Sequence, residues 1–157
     1  MVVAGSLRDR DLGLRRVLAQ IKRMGPKEVA VGIQSGPMND GVSVAEYAGF
    51  NEFGTSRIPS RPFMRTSFDN YQQRMIQLIS TLENQMVTGT VTYSQLLNKV
   101  GLTMIPAIKD TITGGSWVPN TAYTISMKGG GKPPLIDSST MLKSVTYAIR
   151  GFGETQR

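Results

Sequence analysis

The spacing of apolar residues changes several times along the chain, and each change predicts an element. In residues 9–24, DRDLGLRRVLAQIKRM, Leu14, Val17, Leu18 and Ile21 recur at helical spacing, with basic residues on the other side. Asp9 and Asp11 stand where a helix dipole favours negative charge, and Gly25-Pro26 ends the run. The period then falls to two: Val29, Val31 and Ile33 in KEVAVGIQ alternate as in a half-buried strand. SGPMNDG reads as a loop or hairpin tip. SVAEYAGFNEFG predicts a short helix capped by Ser43 and closed by Gly54, with Val44, Tyr47 and Ala48 inward.

TSRIPSRP is a loop, because the residue before each proline is pushed out of helical geometry. A long helix follows from 62 to 87, with Pro62 in its first turn and an apolar stripe of Phe68, Tyr71, Met75, Leu78, Ile79, Leu82 and Met86. TGTVTYS breaks it. A second helix covers 93–112 through Leu96, Leu97, Val100, Met104, Ile105 and Ile108, with a kink or break expected near Pro106. The Gly/Pro-rich segment 113–137 predicts an extended loop or arm. SSTMLKS gives one or two helical turns started by Ser138 or Ser139, and Val145, Tyr147 and Ile149 mark a closing strand at 144–150.

These elements predict one α+β domain over 1–157, in which a small antiparallel sheet packs against two long helices. Its parts are a basic helix (1–26), a strand and helical core (27–112), an extended arm (113–137), a closing turn and strand (138–150) and a frayed tail (151–157). The paired strands are 27–34 and 144–150. Two strands make a marginal sheet, so further strands are expected near 37–45 or 117–127.

Composition narrows the chemistry. The chain has no cysteine and no histidine, which excludes disulfides, thiol nucleophiles, imidazole bases, Ser-His-Asp triads and histidine metal ligands. Its carboxylates form no calcium-loop or magnesium pattern. No catalytic, cofactor-binding or metal-binding residue is assigned, and the expectation is a protein that is not an enzyme and needs no cofactor. No apolar run of 18 residues suggests a membrane span, and the opening residues are too polar for a secretory signal.

The net charge is +7, and residues 1–27 carry seven basic side chains against two acidic ones. Arg8, Arg15, Arg16, Lys22 and Arg23 form a candidate basic face, suited to nucleic acid or an anionic partner, or simply to solvation. KGGGK at 128–132 fails the phosphate-loop spacing, and Pro133-Pro134 denies it a helix N-terminus. It reads as a hinge, with Lys128 and Lys132 as candidate contacts for an acidic partner. Trp117 is either an interface anchor or a ring folded back on its own core.

The densest feature is NEFGTSRIPSRPFMRTSFDNY, residues 51–71. Arg57, Arg61 and Arg65 recur every four residues around Ile58-Pro59 and Pro62-Phe63. Basic residues interleaved with aromatics suit nucleic acid. A proline-stiffened Arg/Phe loop equally suits a subunit contact, since stiff loops lose little entropy on docking.

This segment, with GLTMIPAIKDTIT and NTAYTISMKGGGKPPLIDSSTMLKSVTYAI, resembles the neck, tail-completion or virion-morphogenesis proteins of tailed bacteriophages. The matching residues are Tyr47, Ala48, Glu52, Phe53, Gly54, Ile58, Pro59, Arg61, Pro62 and Phe63, then Thr124, Ile125, Lys128, Pro134, Leu135, Ile136 and Asp137. The resemblance covers about residues 29–150 and departs from the family's Thr-Gly after the Pro-Leu-Ile-Asp run, where this chain has Ser138-Ser139-Thr140.

The resemblance implies a non-enzymatic virion protein, assembled in the host cytoplasm. It implies a homo-oligomeric ring, a hexamer or dodecamer, at the head–tail junction as neck, collar, tail-completion or tail-terminator component. Connector, tail-tube or sheath proteins are the implied neighbours, with non-specific contact to channel DNA. The expected contact residues are Arg57, Ile58, Pro59, Arg61, Pro62, Phe63, Arg65, Trp117, Lys128 and Lys132. The other reading is a basic nucleic-acid-binding protein using the N-terminal Arg/Lys helix.

Overall fold

The computed structural model describes residues 11–34, 38–39, 41–129 and 133–154. In chain order the elements are α1 (Leu14–Met24), β1 (Lys27–Ile33), β2 (Met38–Asn39), β3 (Val42–Ser43), α2 (Val44–Phe53), α3 (Phe63–Thr88), α4 (Tyr93–Gly114), α5 (Ala122–Met127), α6 (Thr140–Lys143) and β4 (Val145–Gly151). The architecture is α+β. β1 and β4 pair antiparallel, from Lys27 opposite Gly151 to Ile33 opposite Val145, and this ladder packs on the helix pair α3 and α4.

The pleat explains which strand residues meet the helices. Val29, Val31, Ile33, Val145 and Ile149 alternate on the inner face and join the core. Tyr147 shares that face. Its ring lies so close to Gly101 of α4 that a Cβ there would sit 2.2 Å from it. Its hydroxyl donates to Asn98 Oδ1 at 2.6 Å. A glycine in mid-helix is unfavourable by propensity, so this one trades helix stability for a close helix–strand approach.

The core has two lobes. One joins α2, the N-terminal turn of α3, the second half of α4 and the 135–145 segment, around Phe63, Met104, Ile108 and Ile112. The other joins α1 to the C-terminal end of α3 and the start of α4, around Val17, Leu82, Met86 and Leu97.

Helix ends follow local chemistry. Ser43 and Glu46 form a reciprocal capping box at α2, and Thr92 and Gln95 form another at α4. α1 begins at Leu14 rather than near residue 9. Its preceding Asp11 carboxylate accepts the Gly13 N–H at 2.9 Å and the Arg15 N–H at 3.4 Å. Asp9 lies outside the described residues.

Three expectations need correction. Of the kink or break expected near Pro106, the break does not occur: α4 continues to Gly114, and Met104, Ala107 and Ile108 on either side are all buried in the core. The 113–137 segment is not extended throughout: Ala122–Met127 is a short helix started by Thr121, whose hydroxyl accepts the Thr124 N–H. That helix also removes the strand expected near 117–127. The 37–45 region supplies only the two-residue ladder β2–β3, separate from β1–β4, so the main sheet stays two-stranded among the described residues.

Candidate interaction surface

Residues 51–63 form a knot of buried polar groups. α2 delivers Asn51 and Glu52 at its C-terminal end, and Gly54, at φ 77°, turns the chain out. The turn is tight: a Cβ on Gly54 would lie 3.0 Å from Ser60 N. The Ser60 hydroxyl donates to the Glu52 carbonyl at 2.8 Å, and the Arg61 N–H donates to the Asn51 carbonyl at 2.6 Å.

The Arg61 side chain is 5% exposed. Its Nε donates to the Val118 carbonyl at 2.8 Å and its Nη1 to Asn51 Oδ1 at 3.1 Å. Nη2 reaches the Pro119 carbonyl at 3.3 Å and Asn120 Oδ1 at 3.2 Å. A planar fork of fixed donors is what this cluster of acceptors requires, and lysine cannot supply it. Burial pushes the Arg61 pKa below the ordinary guanidinium value, an effect that nearby Tyr47 opposes. Arg61 thereby bolts the 118–120 segment to the end of α2.

Glu52 does a second job. Pro62 offers α3 no side-chain cap, and the Glu52 carboxylate takes that place across space. It accepts the Met64 N–H at 2.8 Å and the Arg65 N–H at 3.0 Å. Negative charge at a helix N-terminus is favoured by the exposed donors and the dipole. Phe63, between them, is wholly buried.

The expected contact residues therefore divide. Arg57, Pro59 and Arg65 are exposed, and Ile58 and Pro62 are half-buried. Arg61 and Phe63 are corrected from a subunit contact to internal ties, because both side chains are sealed within the chain. Trp117 takes the second of its two readings: it packs on the first core lobe and its Nε1 donates to the Ile112 carbonyl at 3.2 Å. Lys128 Nζ donates to the Ile136 carbonyl at 3.0 Å. Lys132 and Arg8 lie outside the described residues. Arg15, Arg16, Lys22 and Arg23 are exposed on α1, where Arg16 Nη1 reaches the Thr88 carbonyl at 3.4 Å.

What the structure adds is a set of uncovered apolar faces. α1 touches the body through Gly13, Val17 and Met24, while Leu14, Leu18 and Ile21, at i, i+4 and i+7, remain 63%, 45% and 36% exposed. α2 buries Val44, Ala48, Asn51 and Glu52 and turns Tyr47, Phe50 and Phe53 outward at intervals of three. On α5, Tyr123 and Met127 are both exposed. Sequence spacing located the α1 stripe without indicating what covers it. Phe50 and Phe53 carried no periodic signal distinguishing a packed face from an open one.

Among the described residues no helix is long and apolar enough to cross a membrane, and no group of three or more Asp or Glu is placed to hold a metal ion. A groove of about 380 Å³ runs between β1 and α2. Its lining includes Gly32 and Ile33 from the strand, Ala45, Ala48, Gly49 and Phe53 from the helix, and Phe63 and Met64 below. No family model, curated protein or solved structure matches the chain.

Proposed function

We propose that this chain is a structural component of a tailed-phage particle, assembling as a ring at the head–tail junction and joining connector to tail. The observation that carries the reading is the outward apolar set: Leu14, Leu18 and Ile21 on α1, and Phe50 and Phe53 on α2. Scattered exposed leucines are ordinary in a monomer, but two helices with apolar stripes turned to solvent are the mark of a docking surface. The resemblance in residues 47–63 and 124–137 supports the same reading. So does the buried Arg61–Asn51–Glu52 knot, which gives α2 and the 118–120 segment a fixed relative position, as a docking platform needs.

Ring assembly uses head-to-tail contacts between unlike surfaces that close by rotation. On this reading Arg57, Pro59 and Arg65 stand at the rim of one such surface. Electron microscopy of intact particles, with antibody or a fused density marker on this chain, tests it. A ring of labels between head and tail is expected, and particles complete without the chain contradict the reading.

One observation favours nucleic acid as a second reading: Arg15, Arg16, Lys22 and Arg23 are all exposed on one helix. Binding of this kind predicts a steep fall of log affinity with log salt. A flat slope removes it.

A further inference from the structure

α1 is held in a fixed rotation, and that rotation leaves a narrow apolar seam facing out. Gly13 lies against the Val87 carbonyl, where a Cβ would come within 2.1 Å of the oxygen. Gln20 Oε1 accepts the Tyr93 N–H at 2.7 Å, one of the otherwise open donors at the start of α4. With Val17 buried and Arg16 on the Thr88 carbonyl, rolling the leucines inward would break these ties.

At about 100° per residue, the exposed Leu14, Leu18 and Ile21 fall within an arc of about 60°. Their spacing of four and then three residues is the a/d pattern of a two-helix seam. The arc is narrower than the face of about 100° that a core-facing helix presents. Three side chains also give a lipid surface little apolar area to bury.

Charge borders one side of the seam. Arg15 and Lys22, seven residues apart, lie about a quarter-turn to one side, while Val17 and Met24 lie about as far to the other and pack on the body. In paired helices the residues at these bordering positions set the choice of partner. α1 carries four basic residues and no acidic one, and Arg15 approaches Asp11 only to 4.0 Å. Arg16 and Arg23 fall on the face turned away from the seam.

We propose that α1 packs against an acidic amphipathic helix of a different protein, whose apolar a and d residues meet Leu14, Leu18 and Ile21 and whose carboxylates border Arg15 and Lys22. The inference rests on the reading above of a component that joins unlike proteins, and it assigns α1 to the joining contact. A second copy fits poorly. In an antiparallel pair Arg15 and Lys22 of each copy would oppose those of the other, and in a parallel pair they would meet positions already packed on the body. With 18 basic residues against 11 acidic ones, the chain's own surface is also short of counter-charge. Nucleic acid would supply the charge and leave the leucine seam uncovered.

The test titrates the full chain, at about 0.15 M salt, with a designed peptide of three heptads (about 21 residues) bearing Leu at a and d and Glu at e and g. Its own glutamates keep it from self-pairing. Two control peptides carry Lys at e and g, or Ala at a and d. Fluorescence anisotropy is expected to show the Glu/Leu peptide binding at least about tenfold more tightly than either control. Arg15→Glu combined with Lys22→Glu should reverse the preference between the Glu and Lys peptides, while Arg23→Glu changes binding less than about twofold. Should the double variant misfold by circular dichroism, the three peptides on wild type decide. Equal binding of the Glu and Lys peptides overturns the proposal. So does a loss with Arg23→Glu as large as with the double variant, or binding to phosphatidylglycerol vesicles and to no peptide. Native mass spectrometry of the same samples separates the two readings. Rings that ignore the peptide overturn the helix partner alone, and a monomer that binds it overturns the ring alone.

Discussion

Arg61 shows what a single side chain does here. Its fork satisfies carbonyls at 118 and 119 and the amide oxygens of Asn51 and Asn120, so removing the fork strands several buried acceptors at once. Arg61→Lys keeps the charge and loses the geometry. It is expected to destabilise the chain by about 2 kcal/mol in denaturant titration, with an unchanged m-value. Glu52→Gln retains an acceptor but loses the charge at the start of α3, for an expected loss of about 1 kcal/mol.

Asp11 gives a pH signature: the Gly13 N–H chiefly holds its carboxyl below the ordinary carboxylate value. A lowered folded pKa stabilises above the unfolded value, and the gain disappears as pH falls through the folded one. The stability gap between wild type and Asp11→Ala should therefore be full at neutral pH and close in acid. A gap that does not narrow as the solution is acidified contradicts the assignment. At this scale the sequence showed that the 51–63 segment was special. It did not show why, because interleaved arginines and phenylalanines look alike whether they face a partner or their own chain. The acceptors that decide it, at 118–120, are nearly sixty residues away.

At the scale of elements, periodicity located the long helices and the β1–β4 pair closely, since each has one face against the core. It failed where the cause was tertiary. Pro106 sits within α4 because flanking buried residues hold the helix, and α5 forms in a segment whose Gly/Pro content suggested extension. Gly101 gives the clearest element-scale prediction. On an exposed helix, Gly→Ala stabilises by up to about 1 kcal/mol. Here the new methyl meets the Tyr147 ring, so Gly101→Ala should destabilise by about 2 kcal/mol, measured by thermal or denaturant unfolding. A stabilising result would mean that α4 and β4 are less closely packed than described.

At the scale of the molecule, the sequence pointed to an assembly protein through resemblance, while the structure contributes surfaces. α1 illustrates the gap. Its apolar positions at 14, 17, 18 and 21 predict one buried stripe, yet only Val17 is buried, because the helix docks with its stripe rotated partly outward. Spacing reports that a face is apolar and cannot report what covers it. If copies or neighbouring virion proteins cover it, Leu18→Asp should leave folding intact and abolish higher assembly, as read by sedimentation velocity beside circular dichroism. The most direct measurement is native mass spectrometry of the purified wild-type chain across a concentration series. A closed species containing a multiple of three or six copies is expected, and a chain that stays monomeric at every concentration contradicts ring assembly.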